Sequence, residues 1–240
     1  MISRLLDILW PRECEICSKK VDRPRRHICS DCLMRLPFVP QQGCCRRCGR
    51  DVPKFAGEFL CEDCKKHKPL FDRAGSALRF EFEARKMMQD FKYRRHLWLK
   101  DDFVDWLEAA ARSRFKVSEI DAIVAMPARL THRILRGYNQ CDILAKELAR
   151  RLCVPKADYV VKFTGLRRRQ AGLSEEERRE NVEDAFKATA LAGRLTGATI
   201  LLVDDVMTTG ATLSQCAKAL KESGVERVWA LSLLRSVKDR

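Results

Sequence analysis

The stretch Ile200 to Thr212, ILLVDDVMTTGAT, constrains the fold more than any other part of the chain. Ile200 to Val203 is an unbroken apolar run, the pattern of a strand buried on both faces. Asp204 and Asp205 are expected to end that strand. A hydroxyl-rich turn follows, formed by Val206, Met207, Thr208, Thr209, Gly210, Ala211 and Thr212. A helical pattern comes next, with Leu213, Cys216, Ala217 and Leu220 on one face and Gly224 to stop it. In open α/β sheets, ligands sit outside the carboxyl ends of the strands. Free backbone N–H groups at such a turn favour a phosphate. The two carboxylates would repel a phosphate, so their partners are hydroxyls. A ribose diol beside a phosphate satisfies both. A Walker A loop needs Lys after its last Gly, where Ala211 stands. A dinucleotide fingerprint needs three glycines, and only Gly210 is present. Acids that merely cap a helix would not need two carboxylates and three threonines.

This stretch resembles the phosphoribosyl pyrophosphate (PRPP) signature of type I phosphoribosyltransferases. The resemblance implies that Asp204 and Asp205 hold the ribose 2′- and 3′-hydroxyls, while Val206 to Thr212 hold the 5′-phosphate. It also implies an α/β fold of Rossmann-like type, a mostly parallel sheet flanked by helices.

The other constraint is cysteine. Nine of the 12 cysteines precede residue 65. Eight of these form four C-x-x-C pairs: Cys14 with Cys17, Cys29 with Cys32, Cys45 with Cys48, and Cys61 with Cys64. Each pair turns the chain so that both thiolates face one ion, and two pairs complete a closed tetrahedral site. The spacing predicts two structural zinc ions in tandem ribbon-like modules. It fits consecutive pairing and a cross-braced pairing of the first pair with the third. Cys44 is a spare, either a substitute for Cys45 or a bystander. Four thiolates leave no open position, so no metal catalysis is expected. Large apolar residues are few here, so metal supplies much of the folding energy. Disulfides would suit a secreted chain. Met1 to Trp10, which fits a short amphipathic helix, holds an apolar run too short for a signal sequence and broken by Asp7. No apolar run approaches a membrane span. The expectation is a reduced, cytoplasmic, zinc-binding protein.

Lys+Arg of 47 against Asp+Glu of 33 gives a formal +14, which suits a polyanionic partner, nucleic acid or a phosphorylated small molecule, and equally a solvated basic surface. Residues 1–70 hold 15 Lys+Arg and 9 Asp+Glu. Zinc-bound thiolates bring that module down to about +2. The basic excess therefore belongs mainly to residues 71–240. This division gives a double zinc ribbon over 1–70 and a PRPP-binding domain over 71–240, joined at Pro69 to Arg73.

Strands are expected over Ala74 to Phe82 and Ile120 to Met126, with helices over Ala84 to Phe91, Phe103 to Phe115 and Cys141 to Leu152. The Pro127-Ala128-Arg129 loop after the second strand matches the place where the phosphoribosyltransferase fold holds pyrophosphate. Arg133, Arg136 and Gln140 can follow one edge toward an anion, for which Arg offers planar multi-donor contacts. Ser174 and Glu177 form a capping box, and the Arg167 to Gln170 run before it should be exposed.

RGYNQ, RRRQAGLSEEERRENVEDAF and VDDVMTTGAT occur in this order behind the paired cysteines. That order resembles the ComF competence-protein family, also called the ComFC or GntX-like group, over nearly the entire chain. The resemblance implies PRPP with Mg²⁺ as ligand, and a link to DNA uptake and to use of external DNA, with single-stranded DNA and the uptake machinery as partners. It places Arg168, Arg169 and Gln170 in a loop that closes over the site. The implied reaction displaces pyrophosphate at ribose C1 by a nitrogen nucleophile. Thr208 stands where purine-salvage enzymes carry a base-directed acid, which disfavours hypoxanthine or guanine. A PRPP sensor or single-stranded DNA-binding protein without transferase chemistry is the alternative.

Overall fold

Apolar runs that read as strands do pair, and they pair in parallel. The computed structural model describes residues 12–23, 26–40, 42–51, 59–165 and 185–236. Its strands are β1 (Arg73–Arg79), β2 (Ala122–Ala125), β3 (Val161–Phe163), β4 (Phe186–Ala188), β5 (Thr199–Met207) and β6 (Arg227–Arg235). Its α-helices are α1 (Ser30–Arg35), α2 (Glu62–Lys66), α3 (Phe82–Tyr93), α4 (Lys100–Arg114), α5 (Leu130–Arg136), α6 (Gln140–Leu152) and α7 (Ala211–Glu222). The main sheet has the order β1-β6-β5-β2, and β3 with β4 forms a separate antiparallel ribbon. Every neighbouring pair in the main sheet is parallel.

Alternation along β5 divides the core. Leu201 and Val203 join Phe103, Leu107, Leu144 and Leu148 on the face covered by α4 and α6. Ile200 and Leu202 join Leu213, Cys216, Ala217 and Leu220 on the face covered by α7. Both faces are buried, which is why the strand reads as continuous rather than alternating.

The acid pair does not end β5, contrary to expectation. The strand runs on to Met207 because β6 remains in register beside it, pairing Asp204 with Ser232, Val206 with Leu234 and Met207 with Arg235. The joining segment is also not a free tether. Phe71 is fully buried, and the Asp72 amide donates to the Val228 carbonyl at 2.8 Å.

The cysteine-rich segment packs on the β1 edge. Phe38 bridges Leu78, the Val39 amide donates to Ala77 O at 2.9 Å, and the Arg79 amide donates to Pro37 O at 2.8 Å. Residues 37–39 thus occupy hydrogen-bonding groups that an edge strand would otherwise expose. Ile28 and Leu36 share a core cluster with Leu78, Met87 and Phe103. Arg26 forms a two-pronged pair with Asp105 at 2.6 and 2.9 Å, and the His27 amide donates to the buried Asp102 at 2.8 Å. Gly49, at φ +70°, lies so close to β1 that a Cβ would stand 2.6 Å from Ala74 O. No helix among the described residues is long and apolar enough to cross a membrane. The helix expected over residues 2–10, the capping box at Ser174 and Glu177, and Arg168, Arg169 and Gln170 lie outside the described residues.

Candidate functional site

The connections of β2 and β5 diverge. From β2 the chain passes through α5 and α6 to the outer edge, where Lys156 bridges Ile123. From β5 it passes through α7 to β6, on the opposite side. A crevice at the carboxyl ends of two such strands is the ligand position of open α/β sheets. Asp204 and Asp205 stand on its β5 side. On its β2 side the chain continues as Pro127, Ala128 and Arg129, starting from a Met126 amide that donates to Val203 O at 2.8 Å.

Asn139 ties the start of α6 to this crevice. Its Oδ1 accepts from the Cys141 amide at 3.1 Å, capping the helix, and its Nδ2 donates to Met126 O at 3.1 Å. Gln140 and Cys141 are thereby aimed at the acids. Gln140 Nε2 donates to Asp205 Oδ2, and the Cys141 thiol lies 3.4 Å from Asp204 Oδ1. Lys92, from the last turn of α3, places Nζ 2.8 Å from Asp205 Oδ1. Asp204 Oδ1 also accepts the Asp205 amide at 2.8 Å.

Burial, and then the charge of Asp205, push the Asp204 carboxyl up to about 7. Burial likewise pushes the Cys141 thiol well up, aided by both aspartates, so it is a protonated donor. The acid pair presents acceptor oxygens suited to hydroxyl donors.

The turn after β5 supplies the other half. Gly210 takes φ +81° as the residue before α7, and a Cβ there would lie 3.3 Å from the Phe71 ring. Thr208, Thr209 and Thr212 are exposed, Val206 and Ala211 half-buried, and Met207 buried. Thr209 Oγ1 accepts from the Ala211 amide at 3.3 Å. Positive φ at Gly210 turns the chain from β5 into α7.

The arginines are distributed differently from expectation. Arg136 donates to Gln140 Oε1 and to the Tyr93 hydroxyl, each at 3.0 Å, with its guanidinium 4.7 Å from the Tyr93 ring centre. Gln140, expected to face an anionic ligand, instead serves Asp205. Arg129 stands 5.2 Å from the Phe163 ring centre, and Arg133 lies on α5. Sequence reading missed Lys92 and Cys141 as members of the site. Lys92 sits in a charged FKYRR run that singles out no member, and its partner is 113 positions away.

The cysteines form two groups, Cys14, Cys17, Cys29 and Cys32, and then Cys45, Cys48, Cys61 and Cys64. Within each group the sulfurs lie within 4.8 Å of one another, with Cys17 to Cys29 at 3.7 Å and Cys48 to Cys61 at 3.6 Å. Tetrahedral thiolates around zinc stand about 3.8 Å apart, so both groups fit a structural zinc. Pairing is consecutive, not cross-braced. Each group repeats one device: an amide donates to the first sulfur at 3.4 Å (Cys29 to Cys14, Cys61 to Cys45), and a short helix starts at the next residue. Cys44 stands outside both groups, its thiol 3.2 Å from Pro40 O.

Residues 5–65 match the double zinc ribbon domain family, and residues 139–239 match the phosphoribosyl transferase domain family. The chain is 29% identical over 224 residues to competence protein F of Haemophilus influenzae, covering 91% of this chain and 96% of that one. It is 25% identical over 239 residues to the DNA utilization protein YhgH of Escherichia coli K12, covering 95% and 98%. It is 25% identical over 214 residues to competence protein ComFC of Streptococcus pneumoniae, covering 87% of each. With two four-cysteine groups ahead of a parallel sheet, the chain carries a double zinc ribbon domain and a phosphoribosyl transferase domain, and it is similar to these competence and DNA utilization proteins over most of their length.

Proposed function

We propose that this protein binds PRPP with Mg²⁺ in the crevice between β2 and β5 and serves the uptake or use of external DNA as a phosphoribosyltransferase-type protein. The observation that carries this is the Asp204–Asp205 pair at the diverging strand ends, followed directly by the Gly210 turn into α7. Asp204 and Asp205 accept from the ribose hydroxyls. Val206, Met207, Thr208, Thr209, Gly210, Ala211 and Thr212 surround the 5′-phosphate. Pro127, Ala128 and Arg129 take the pyrophosphate, helped by Arg133, Arg136 and, from the closing loop, Arg168, Arg169 and Gln170. Mg²⁺ is held through ligand oxygens and waters. In transfer, the C1–O bond to pyrophosphate breaks, a C1–N bond forms, and the carboxylates favour positive charge growing on the ring. The DNA role follows the names of the relatives. Reduced zinc thiolates suit the cytoplasm, and the division of labour falls between 1–70 and 71–240.

Calorimetry with Mg²⁺ and PRPP is the test. Binding is expected in the native chain and is lost when Asp204→Ala is combined with Asp205→Ala. Unchanged affinity in that double variant refutes the assignment. A second reading, PRPP binding without transfer by a single-stranded DNA-binding protein, is favoured by Thr208 and by Tyr93, which is 67% exposed under the Arg136 guanidinium. A flat single aromatic beside cations is what a base stacks on. Salt-dependent binding of single-stranded DNA, together with no pyrophosphate release across an acceptor screen, would select it.

A further inference from the structure

Two adjacent carboxylates repel a ligand that carries several phosphate charges, and the site answers this with Lys92. The ammonium and Asp205 side chains are 17% and 9% exposed, so the pair is largely withdrawn from water. Lys92 lies at the C-terminal end of α3, where unpaired carbonyls favour a cation. Its partner Asp205 is also tied back to α3. Asp205 holds Gln140, Gln140 holds Arg136, and Arg136 holds Tyr93, the residue after Lys92. This ring returns to the helix it started from, so the contact is built rather than a chance surface pair.

Both Asp205 oxygens are already engaged, one by Lys92 and one by Gln140. A ribose diol must compete for them. We propose that Lys92 is a ligand-contacting residue with two positions: on Asp205 while the site is free, and on the ligand's phosphate oxygens once the ribose hydroxyls engage Asp205. This rests on the PRPP reading above and adds a source of specificity to it. A ribose phosphate without an anionic group at C1 displaces Lys92 but leaves it unpaired, and unpaired charge out of water is costly. Inorganic pyrophosphate attracts Lys92 but leaves Asp205 short of a partner. A ligand that carries the diol and a C1 diphosphate together satisfies both groups at once. The exchange is selective because each half of the ion pair is released only when a replacement is present.

The test compares Mg²⁺-PRPP with ribose 5-phosphate, the latter by competition, in the native chain and in Lys92→Met and Lys92→Gln. Both variants are expected to lose at least tenfold in PRPP affinity while ribose 5-phosphate binds as tightly as in the native chain or more tightly, since no ammonium is left unpaired. Glutamine keeps an N–H donor for Asp205, so it preserves the fold if methionine does not. Zinc content and the unfolding transition report on folding. A PRPP affinity in Lys92→Gln equal to native overturns the proposal. So does an equal loss for both ligands, which would make Lys92 a prop for Asp205 only. Absence of PRPP binding in the native chain instead overturns the PRPP reading itself, before any variant is compared.

Discussion

The surroundings of Asp204 favour its protonated form. Its folded carboxyl sits at about 7, up from 3.8 in the unfolded chain. Between those values the folded state holds a proton that the unfolded state has released. Stability from this group is therefore full below about pH 4 and is lost as pH rises through about 7. Asp204→Asn should be more stable than native at pH 8, by on the order of 1–3 kcal/mol, and nearly equal to it at about pH 4. Thermal unfolding at the two pH values checks this, and a lower melting point at pH 8 would contradict it. The same variant should lose PRPP. Asp102 follows the same sign over a lower window, since burial raises it to about 6. Asp102→Asn keeps an acceptor for the His27 amide and should be tolerated. Asp102→Leu leaves that amide unpaired and should cost about 1–3 kcal/mol, read from denaturant unfolding. The acid pair and its turn were legible in the sequence because strand, acids, Gly and helix are consecutive. Lys92 was not, because only the packing of α3 brings it to Asp205.

At the scale of elements, the zinc modules and β1 act as one construction. Gly49→Ala adds a Cβ 2.6 Å from a backbone oxygen at a positive φ, and neither side can yield as a flexible side chain would. It should destabilise by roughly 2 kcal/mol or more, seen as a lower melting temperature with zinc content retained at low temperature. Consecutive pairing makes a separate prediction. Cys14→Ser with Cys32→Ser should leave one zinc per chain by metal analysis. Cys14→Ser with Cys45→Ser damages both sites and should leave less than one. Knuckle spacing gave the number of sites but not which pairs combine, since four equivalent pairs fit either arrangement. The length of β5 was hidden for a related reason. Two aspartates argue locally against a strand, and the pairing with β6 that overrides them is remote in sequence.

Across the whole molecule, the fold class was readable from buried strands alternating with amphipathic helices, while the docking of the cysteine-rich segment on β1 was not. That docking depends on Arg26, Asp105, Phe38 and Gly49 meeting partners that no local pattern marks. The position of β6 has a consequence for how the chain is made. Of the described strands it leaves the ribosome last, yet it lies between β1 and β5. Both zinc modules can close on metal while the sheet still lacks its middle, and β1 must wait for a partner that follows it by about 150 residues. Synthesis thus delivers the metal-held part as an early, finished piece, and the main sheet is completed only once β6 has emerged. A chain stopped after Glu226 should still take up zinc but show no cooperative sheet unfolding.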